Sequence, residues 1–315
     1  MPVPPPNRPC QTLVCPYGRA AIAEAAALIL EGLPVAVPTE TVYGLAADAT
    51  REEAVARIYA AKGRPSFNPL IVHVGSLAKA ERLAVFSQEA RAAAERWWPG
   101  PLTLVVPLKA GAGIAPSVTA GLQTIALRCP AHPAMRDLLE ACGRPLAAPS
   151  ANASGGISPT SAAHVLKSLG GRIAMIVDGG ATAVGLESTI VAFTGGEPRL
   201  LRPGPVQLGV AEEADAGGRI EAPGQLASHY APSKPLRLEA VEAGADEWLI
   251  GFGAVAGDDT LSATGDLQEA AARLFEALHR AEGEARPRIA VAPVPRDGVG
   301  EAINDRLRRA AAPRP

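Results

Sequence analysis

The sequence predicts an α/β protein built on a twisted, mixed open sheet flanked by helices. Short aliphatic runs alternate with alanine-rich stretches along the chain, which is typical of alternating strands and helices. Hydrophobic residues make up 48% of the chain and aromatic residues only 4%, so we expect an aliphatic core. The 315 residues correspond to about two domains, and the alternation is interrupted once, at residues 209–235.

The first domain is expected at residues 13–208, after a flexible proline-rich tail at residues 1–12. Its strands are predicted where a short aliphatic run is bounded by glycine, proline or polar residues. They are Val35–Val37, Leu70–Val74, Leu102–Val106, Thr124–Arg128, Leu146–Ala148, Ile173–Val177, Ser188–Phe193 and Arg199–Leu201.

The helices of this domain are predicted from alanine-rich or amphipathic spacing and from capping residues. Thr50 and Glu53 have the spacing of a capping box, so a helix is expected from there to about Ala61. The other predicted helices are Gly18–Glu31, segments starting near Leu77 and Ser87 and ending by Trp98, Pro133–Cys142 and Ser161–Leu169.

Residues 209–235 lack apolar periodicity and are rich in glycine and proline, which indicates a linker that could also cover a site. A smaller α/β domain is expected at residues 236–315. Its predicted elements are the strands Trp248–Phe252 and Ile289–Ala292 and helices over Asp266–Glu282 and from about Glu301. The run Gly251–Gly257 lacks the spacing of a dinucleotide-binding turn and is interpreted as a loop.

Charge is divided unevenly between the two parts of the chain. The net charge of −2 argues against a polycation that grips nucleic acid along its whole surface. Residues 1–208 hold 18 Lys and Arg against 14 Asp and Glu, whereas residues 209–315 hold 12 against 18. An anionic ligand is therefore expected in the first domain.

Several kinds of site are not indicated by the sequence. It contains no P-loop, no HExxH motif and no nucleophile elbow. The four cysteines form no zinc spacing, so no metal site and no cysteine nucleophile are predicted, and Cys129 and Cys142 are expected to be small core residues. No apolar run approaches the ~20 residues that span a bilayer, and the start of the chain does not resemble a secretory signal. We therefore expect a cytoplasmic protein.

The densest polar cluster lies between Ala61 and Val74. Lys62 and Arg64 flank a glycine before a predicted strand, and two cations in a tight turn can hold an anion. Taken alone, they equally fit the C-terminal cap of the preceding helix. Asn68 fits a turn residue, and a lone histidine within an apolar strand, such as His73, is more often a satisfied core residue than a catalytic one.

Two further clusters follow predicted strands. In Ala148–Ser161, small residues and hydroxyls would let a ligand approach the backbone, although an exposed turn is the commoner explanation. Pro38–Asp48, Gly185–Ile190 and Leu200–Val206 also place hydroxyls or an arginine at strand ends. Ligands gather at strand ends in open α/β sheets. Arg128 and Arg202 each close a predicted strand and could both point at a shared crevice, although surface placement is the commoner fate of a single arginine.

At these motifs the sequence resembles the YrdC- or TsaC-type threonylcarbamoyl-AMP synthases in their long, two-domain form. Four separated motifs occur in the family's order: PTETVYGL, KGRPxxNPLIVH, PSAN, and ESTI followed by RPG. The resemblance covers about residues 13–208 and continues through the linker to GEAINDRLRRAA near the end of the chain. It implies a YrdC-like twisted sheet and a Rossmann-like C-terminal domain.

The resemblance also implies an activity. The family is a group of nucleotidyltransferases that make L-threonylcarbamoyladenylate from L-threonine, bicarbonate or CO2, and ATP, with release of pyrophosphate. Mg2+ is expected to accompany ATP. The product would pass to a separate complex that transfers the threonylcarbamoyl group to tRNA, while direct RNA binding by this chain and its oligomeric state stay open.

Site residues are implied only where this chain matches the family's motifs. Lys62 and Arg64 would be catalytic. The residues expected at ATP are Lys62, Arg64, Asn68, Thr124, Ala148, Ser150, Asn152, Ser158, Arg202 and Tyr230. The residues expected at threonine are Thr39, Thr41, His73, Arg128 and Ser188, with Arg128 facing the carboxylate.

The linker departs from the family pattern. The family carries a basic stretch before a His-Tyr-Ala-Pro motif, whereas this chain has the uncharged Gln225–Ser228 before His229 and Tyr230. The sequence therefore offers no cation there for phosphates, and Tyr230 is the residue expected to gate the pocket. Ala192 stands where an acidic residue is frequent.

Two other functions compete with this one. An RNA-binding module would use the same positive groove, but the small charge excess and the scarcity of aromatic residues disfavour it. A carbamoyl-transfer enzyme like the hydrogenase maturation factors would need zinc-finger and acylphosphatase domains, for which this chain has no room.

Overall fold

The computed structural model describes residues 11–210 and 220–313, and its larger sheet is mixed, as the sequence predicts. The strands of this sheet are β1 (Leu13–Pro16), β2 (Val35–Pro38), β3 (Tyr43–Asp48), β4 (Ile71–His73), β5 (Leu102–Pro107), β6 (Thr124–Arg128), β7 (Leu146–Ala147), β8 (Met175–Asp178), β9 (Thr189–Ala192) and β10 (Arg199–Arg202). Their spatial order is β1-β8-β2-β3-β7-β4-β6-β5-β9-β10.

Helices cover both faces of the sheet. They are α1 (Arg19–Leu30), α2 (Glu52–Lys62), α3 (Leu77–Leu83), α4 (Gln88–Trp97), α5 (Pro116–Thr119), α6 (Pro133–Cys142) and α7 (Ala162–Leu169). Successive residues of a strand point to opposite faces, and β2 shows this: Ala36 packs in one hydrophobic cluster, and Val35 and Val37 pack in another. Because helices cover both faces, the side chains on both faces are buried. The strands are therefore nearly continuous apolar runs.

Most helix boundaries lie within two residues of the predicted ones, but the one predicted cap needs correction. Ser87 and Ser161 accept hydrogen bonds from Ala90 N and His164 N at the starts of α4 and α7. The capping box predicted at Thr50 and Glu53 is wrong. Thr50 N and Oγ1 both donate to Asp48 Oδ1 at the end of β3, and Arg51 is the N-cap of α2. The hydroxyl is used in that turn and caps nothing.

The sequence did not predict β3, although this strand lies in the middle of the sheet. Its residues YGLAAD lack alternation of apolar and polar residues, and a glycine inside a strand weakens the signal. Gly44 has a packing reason: a Cβ added there would lie 3.3 Å from Ala148 Cβ. The short elements β1 and α5 also lay outside the predicted set.

The second sheet is smaller and wholly parallel, as expected for a Rossmann-like unit. Its order is β11-β14-β12-β13. The elements are β11 (Leu236–Arg237), β12 (Glu247–Gly251), β13 (Asp259–Thr260), β14 (Arg288–Val291), α8 (Leu267–Gly283) and α9 (Val299–Ala311). The segment Gly251–Gly257 leaves β12 as a loop, in agreement with the prediction. Residues 1–10 and 211–219, which include parts of the predicted tail and linker, lie outside the described residues.

The two sheets are joined by a shared apolar core. Val42, Ile157 and Leu186 from the first sheet's loops and Tyr230 from the linker pack in one cluster with the side chains of α8 and α9. Gly185 permits this contact. Its φ is +74°, and a Cβ there would lie 2.5 Å from the Ala272 backbone of α8. The second sheet is therefore fixed closely against the loop before β9.

Two further expectations concern single residues and membranes. Cys129 and Cys142 are buried, as predicted. Burial raises the pKa of both thiols, that of Cys142 to about 11, so neither has thiolate character. Within the described parts of the chain, no helix is both long and apolar enough to span a bilayer.

Candidate active site

A polar cavity lies where several central strands end and the linker crosses them. The free volume inside is about 40 Å³, room for a few water molecules. Its wall contains nearly all the strand-end motifs of the first domain. The lining residues are Thr39, Thr41, Val42, Gly44, Arg64, Ile71, His73, Arg128, Ala148, Pro149, Ser150, Glu187, Ser188, Arg202, Pro223, Gly224, His229 and Tyr230.

Strand pairing explains why distant motifs meet here. In the parallel pair β4 and β6, His73 lies opposite Arg128, and in the antiparallel pair β5 and β6, Thr103 lies opposite Arg128. Ser188 immediately precedes β9, the parallel neighbour of β5. His73 and Arg128 end their strands and Thr103 and Ser188 lie at the starts of theirs, so all four positions lie at the same edge of the sheet.

One side of the cavity is a network of hydroxyls around Arg128. Arg128 Nη1 donates to Thr41 Oγ1 at 2.9 Å, and Thr41 Oγ1 lies 2.8 Å from Thr39 Oγ1. Ser188 Oγ lies 2.7 Å from Thr103 Oγ1. The five residues predicted at threonine all line this cavity: Thr39, Thr41, His73, Arg128 and Ser188.

Glu40 pairs with this guanidinium, and the sequence analysis missed it. Its Oε1 accepts from Arg128 Nη2 at 2.6 Å, and its Oε2 accepts from Ala131 N at 3.0 Å. Burial raises the pKa of Glu40, but the charge and hydrogen bonds of Arg128 and the backbone outweigh it, so the net pKa lies below its ordinary value. The carboxylate therefore orients Arg128 while leaving Nη1 directed at Thr41.

The Glu40–Arg128 pair gives a testable pH dependence. A lowered pKa means that the stabilising contribution is fully present above the ordinary carboxyl pKa of about 4.3 and is lost as the pH falls through the folded-state pKa. We expect Glu40→Gln to have a lower melting temperature than the wild type at pH 7, and the difference to shrink towards pH 3. Calorimetric melting of both proteins across this range measures it. A difference that stays constant with pH would contradict the role of the charge.

His73 is a neutral group in the wall. Burial lowers its pKa to about 3, with the nearby Arg128 adding to the effect. Its Nδ1 is buried and has no hydrogen-bond partner among the described residues. A buried polar atom without a partner is costly, so His73 has one free position with which to bind a ligand.

The opposite side of the cavity is positively charged. Arg64 donates to Asn68 O at 3.2 Å and Pro69 O at 3.0 Å. Arg202 donates to Ser188 O at 3.0 and 2.9 Å and to Ser188 Oγ at 3.2 Å. Lys62 Nζ donates to Ser150 O and Asn152 O, both at 2.5 Å. All three cations are buried.

These three cations are satisfied by neutral oxygens alone. In the described ranges 11–210 and 220–313, none of them forms an ion pair with a carboxylate. Burial lowers the pKa of Arg64 to about 10, and it also lowers the pKa of Arg202 and, well below its usual value, that of Lys62. Buried charge without a counter-charge is unfavourable, so this wall is prepared for an anion.

Not every residue predicted at ATP lines the cavity. Asn68, Asn152 and Ser158 are buried just behind the wall, and Lys62 joins the PSAN backbone to α2. The Oδ1 atoms of Asn68 and Asn152 have no described partner. Thr124 begins β6 and Arg128 ends it, so Thr124 lies at the far end of that strand, outside the wall. Ala148 and Ser150 do line it.

The linker closes the cavity through two pairs of residues. Pro223 with Gly224 and His229 with Tyr230 reach the wall, whereas the Gln225 amide oxygen accepts hydrogen bonds from Glu221 N and Ala222 N. Gln225 thus serves the linker's own turn, whereas Leu226 O accepts from Arg309 Nη1 of α9 at 2.7 Å. Tyr230 has a left-handed backbone, with φ +64°, and its buried hydroxyl has no described partner.

Glu187 lines the cavity and Glu40 lies beside its wall, and each is held by an arginine. Glu187 Oε2 accepts from Arg306 Nε at 2.8 Å, and its Oε1 accepts from Ser158 Oγ. The sequence analysis missed both residues. The available signal for each residue was a carboxylate inside a motif that resembles the family, PTETVYGL for Glu40 and ESTI for Glu187. In the described part of the chain, no three His, Cys, Asp or Glu side chains are grouped to hold a metal ion.

Two family models match the chain. The model described as "Telomere recombination", of the Sua5, YciO and YrdC proteins, matches residues 27–204. The model described as "Threonylcarbamoyl-AMP synthase, C-terminal domain" matches residues 201–312. The two matches together span both sheets and the linker between them.

Individual relatives agree with the models along most of the chain. The threonylcarbamoyl-AMP synthase of Bacillus subtilis is 41% identical over 93% of this chain and 93% of its own. That of Pyrococcus abyssi is 41% identical over 91% and 93%. The crystal structure of P. abyssi Sua5 complexed with L-threonine superposes with a TM-score of 0.87 at 39% identity, covering 95% of this chain and 98% of that one. The chain therefore belongs to the YrdC-type family of threonylcarbamoyl-AMP synthases, enzymes of the nucleotidyl-transfer type, in the long form with a C-terminal Sua5 domain.

Proposed function

We propose that this protein makes L-threonylcarbamoyladenylate from L-threonine, CO2 or bicarbonate, and ATP, with release of pyrophosphate. The observation that carries the proposal is a set of three buried cations, Arg64 and Arg202 in the cavity wall and Lys62 just behind it, none of which pairs with a carboxylate of the described residues. A triphosphate supplies the missing negative charge. The names of the relatives and the threonine complex of P. abyssi Sua5 support the same substrates.

Two bond-forming steps complete the reaction. The threonine amine attacks CO2, a C–N bond forms, and the amine loses one proton to give a carbamate. A carbamate oxygen then attacks the α-phosphorus of ATP, an O–P bond forms, and the bond to pyrophosphate breaks. Both reactants of the second step are anionic, so the enzyme must mainly neutralise charge and align the groups.

The threonine side of the cavity suits the first step. Arg128, oriented by Glu40 and Thr41, is placed to bind the threonine carboxylate through a charge-assisted hydrogen bond. The amine must be neutral to attack CO2. A buried pocket with excess positive charge lowers the pKa of any amine within it, for the same reasons that lower the pKa of Lys62.

The nucleotide side suits the second step. Arg64 and Arg202 both line the cavity, while Lys62 fixes the Ser150 and Asn152 backbone behind it. Arginine forks match phosphate oxygens and stabilise negative charge that shifts to the leaving pyrophosphate. No covalent nucleophile is needed. Because the carbamate is labile in water, closure of the cavity by His229 and Tyr230 protects it.

Mg2+ is expected to arrive with ATP. Glu187 in the wall and Glu40 beside it are both engaged by arginines, so the ion would be held mainly by the phosphates and water. When bound, it neutralises phosphate charge. We also propose that the enzyme works in the cytoplasm and passes its product to a tRNA threonylcarbamoyl-transfer complex, where these substrates and acceptors meet.

The test is pyrophosphate release by the purified protein with ATP, bicarbonate and Mg2+, with and without L-threonine. We expect release that depends on threonine and is much weaker with serine. ATP binding without threonine-dependent release would contradict the proposal. Affinity for RNA that falls steeply with salt, in the absence of ATP turnover, would favour an RNA-binding role instead.

A further inference from the structure

Arg306 is a charged residue on the apolar face of α9. It follows the buried Ala302 by four residues and Ile303 by three, a spacing that places all three on one side of the helix. Its side chain has 0% exposure. A buried guanidinium must find partners for its charge and its N–H groups, so the partners reveal what the residue does.

The partners of Arg306 lie mostly in the first domain. Its Nη1 donates to Asp305 Oδ2 on the same helix at 2.6 Å. Its Nε donates to Glu187 Oε2 at 2.8 Å, and its Nη2 donates to Pro203 O at 3.0 Å. Glu187 belongs to the ESTI motif and Pro203 to the RPG motif. One side chain of the second domain therefore joins two active-site motifs of the first.

Arg306 also contacts the linker. The Arg306 guanidinium carbon lies 5.2 Å from the centre of the Tyr230 ring, within the range of a cation–π interaction. Tyr230 lines the cavity, and Glu187 lines it as well. Arg306 itself is absent from the lining, so it reaches the site only through these neighbours.

Glu187 is the neighbour whose charge matters most. It is a carboxylate in a wall that otherwise prepares for anions, and Arg202 is bonded to the carbonyl of the next residue, Ser188. An uncompensated Glu187 would repel a phosphate and would compete with it for Arg202. The pairing with Arg306 removes that competition and fixes the carboxylate against Ser158.

We infer that Arg306 is a positioning residue for the active site: it neutralises Glu187 and holds the Tyr230 ring over the cavity. The inference rests on the proposed function, because it assigns the second domain a part in binding ATP. It predicts that loss of Arg306 acts through the charge of Glu187 and the position of Tyr230, and that the damage appears mainly in the use of ATP.

The experiment compares full-length Arg306→Met with Arg308→Met in the pyrophosphate assay. Arg308 is an exposed arginine on the same helix, with 56% side-chain exposure, and is a matched control. We expect Arg306→Met to lower kcat/KM for ATP at least about tenfold, consistent with an unpaired buried carboxylate, with a smaller change in KM for threonine. Arg308→Met should stay within about twofold of the wild type.

Two more variants separate positioning from general stabilisation. In Arg306→Met with Glu187→Gln, the unpaired charge is gone, so kcat/KM for ATP should recover at least threefold over Arg306→Met alone. Arg306→Lys keeps the charge but not the fork, and should fall between the wild type and Arg306→Met. Circular dichroism at the assay temperature establishes that each variant is folded. If Arg306→Met does not fold, Arg306→Lys and the double variant provide the comparison.

The outcomes are distinct. Wild-type kinetics in folded Arg306→Met, or equal kinetics in Arg306→Met and the double variant, would overturn the inference while leaving the proposed function intact. A wild-type protein without threonine-dependent release would overturn both. Loss of ATP use in Arg306→Met that is partly restored by Glu187→Gln supports the inference, since a merely structural arginine would not be rescued by removing a second hydrogen-bonding charge.

Discussion

Replacing Arg202 by methionine is expected to weaken ATP binding at least about thirtyfold, because losing one partner of a buried, charge-assisted contact costs about 2–5 kcal/mol. Arg202 is 4% exposed and lines the cavity beside Tyr230. Among the described residues, its hydrogen-bond partners are neutral oxygens of Ser188 and Pro223. The Arg202 charge is therefore expected to stabilise the complex with ATP more than it stabilises the free protein.

This difference makes the Arg202 experiment specific. We expect a smaller loss of threonine affinity, since threonine is assigned to the Arg128 side, and little fall in melting temperature, since methionine removes a desolvated charge. Calorimetric titration of Arg202→Met with ATP and with threonine separates the two effects. Arg91→Met, at an exposed position on α4 that pairs with Glu81, controls for loss of an arginine. Equal losses for both ligands, or none, would contradict the assignment.

Gly185→Ala is expected to be the most disruptive small substitution at the contact between the two sheets. The new Cβ would lie 2.5 Å from both Ala272 Cα and Ala272 O of α8, in a backbone with φ +74°. Overpacking costs about 1–3 kcal/mol, and the left-handed conformation costs a non-glycine residue about 1–2 kcal/mol. The side chain of Glu187, two residues later, would move with the loop.

Gly180→Ala is a matched control for the backbone cost. Gly180 has a similar φ of +82°, but a Cβ there meets nothing within 4 Å. Thermal melting should show Gly185→Ala below Gly180→Ala by several degrees, at roughly 2–4 °C for each kcal/mol. Activity should fall only in Gly185→Ala. Similar melting temperatures in the two variants would mean that α8 does not press on this loop.

The elements best predicted from the sequence are those with local signals at both ends. Pro133 and Gly143 bound α6, and the observed Pro133–Cys142 equals the prediction because proline suits the first turn and glycine adopts the left-handed cap. Thr124–Arg128 was also predicted to the residue. By contrast, β3 forms because it pairs with two neighbouring strands in the sheet. The local sequence of its six residues does not predict that tertiary pairing.

The active site likewise has features that the sequence could predict and pairings that it could not. Motifs at strand ends could be predicted to converge, and the residues expected at threonine do surround one crevice. The pairing of Arg128 with Glu40 and of Glu187 with Arg306 could not be predicted, because each depends on which strands or domains lie side by side. Arg306 left one local signal, a charge at an apolar position of an amphipathic helix.

The left-handed backbone of Tyr230 has a consequence for how the closed site opens. His229 and Tyr230 lie over the cavity, so under the proposed function the linker is expected to exchange between covering and uncovering positions as substrates enter. The φ of +64° at Tyr230 stores about 1–3 kcal/mol of strain, which is released when the segment moves away. This backbone strain opposes the packing of the Tyr230 ring over the cavity. The strain reduces the free-energy difference between the covering and uncovering positions of the linker, so a modest difference in ligand affinity for the two is enough to shift their populations.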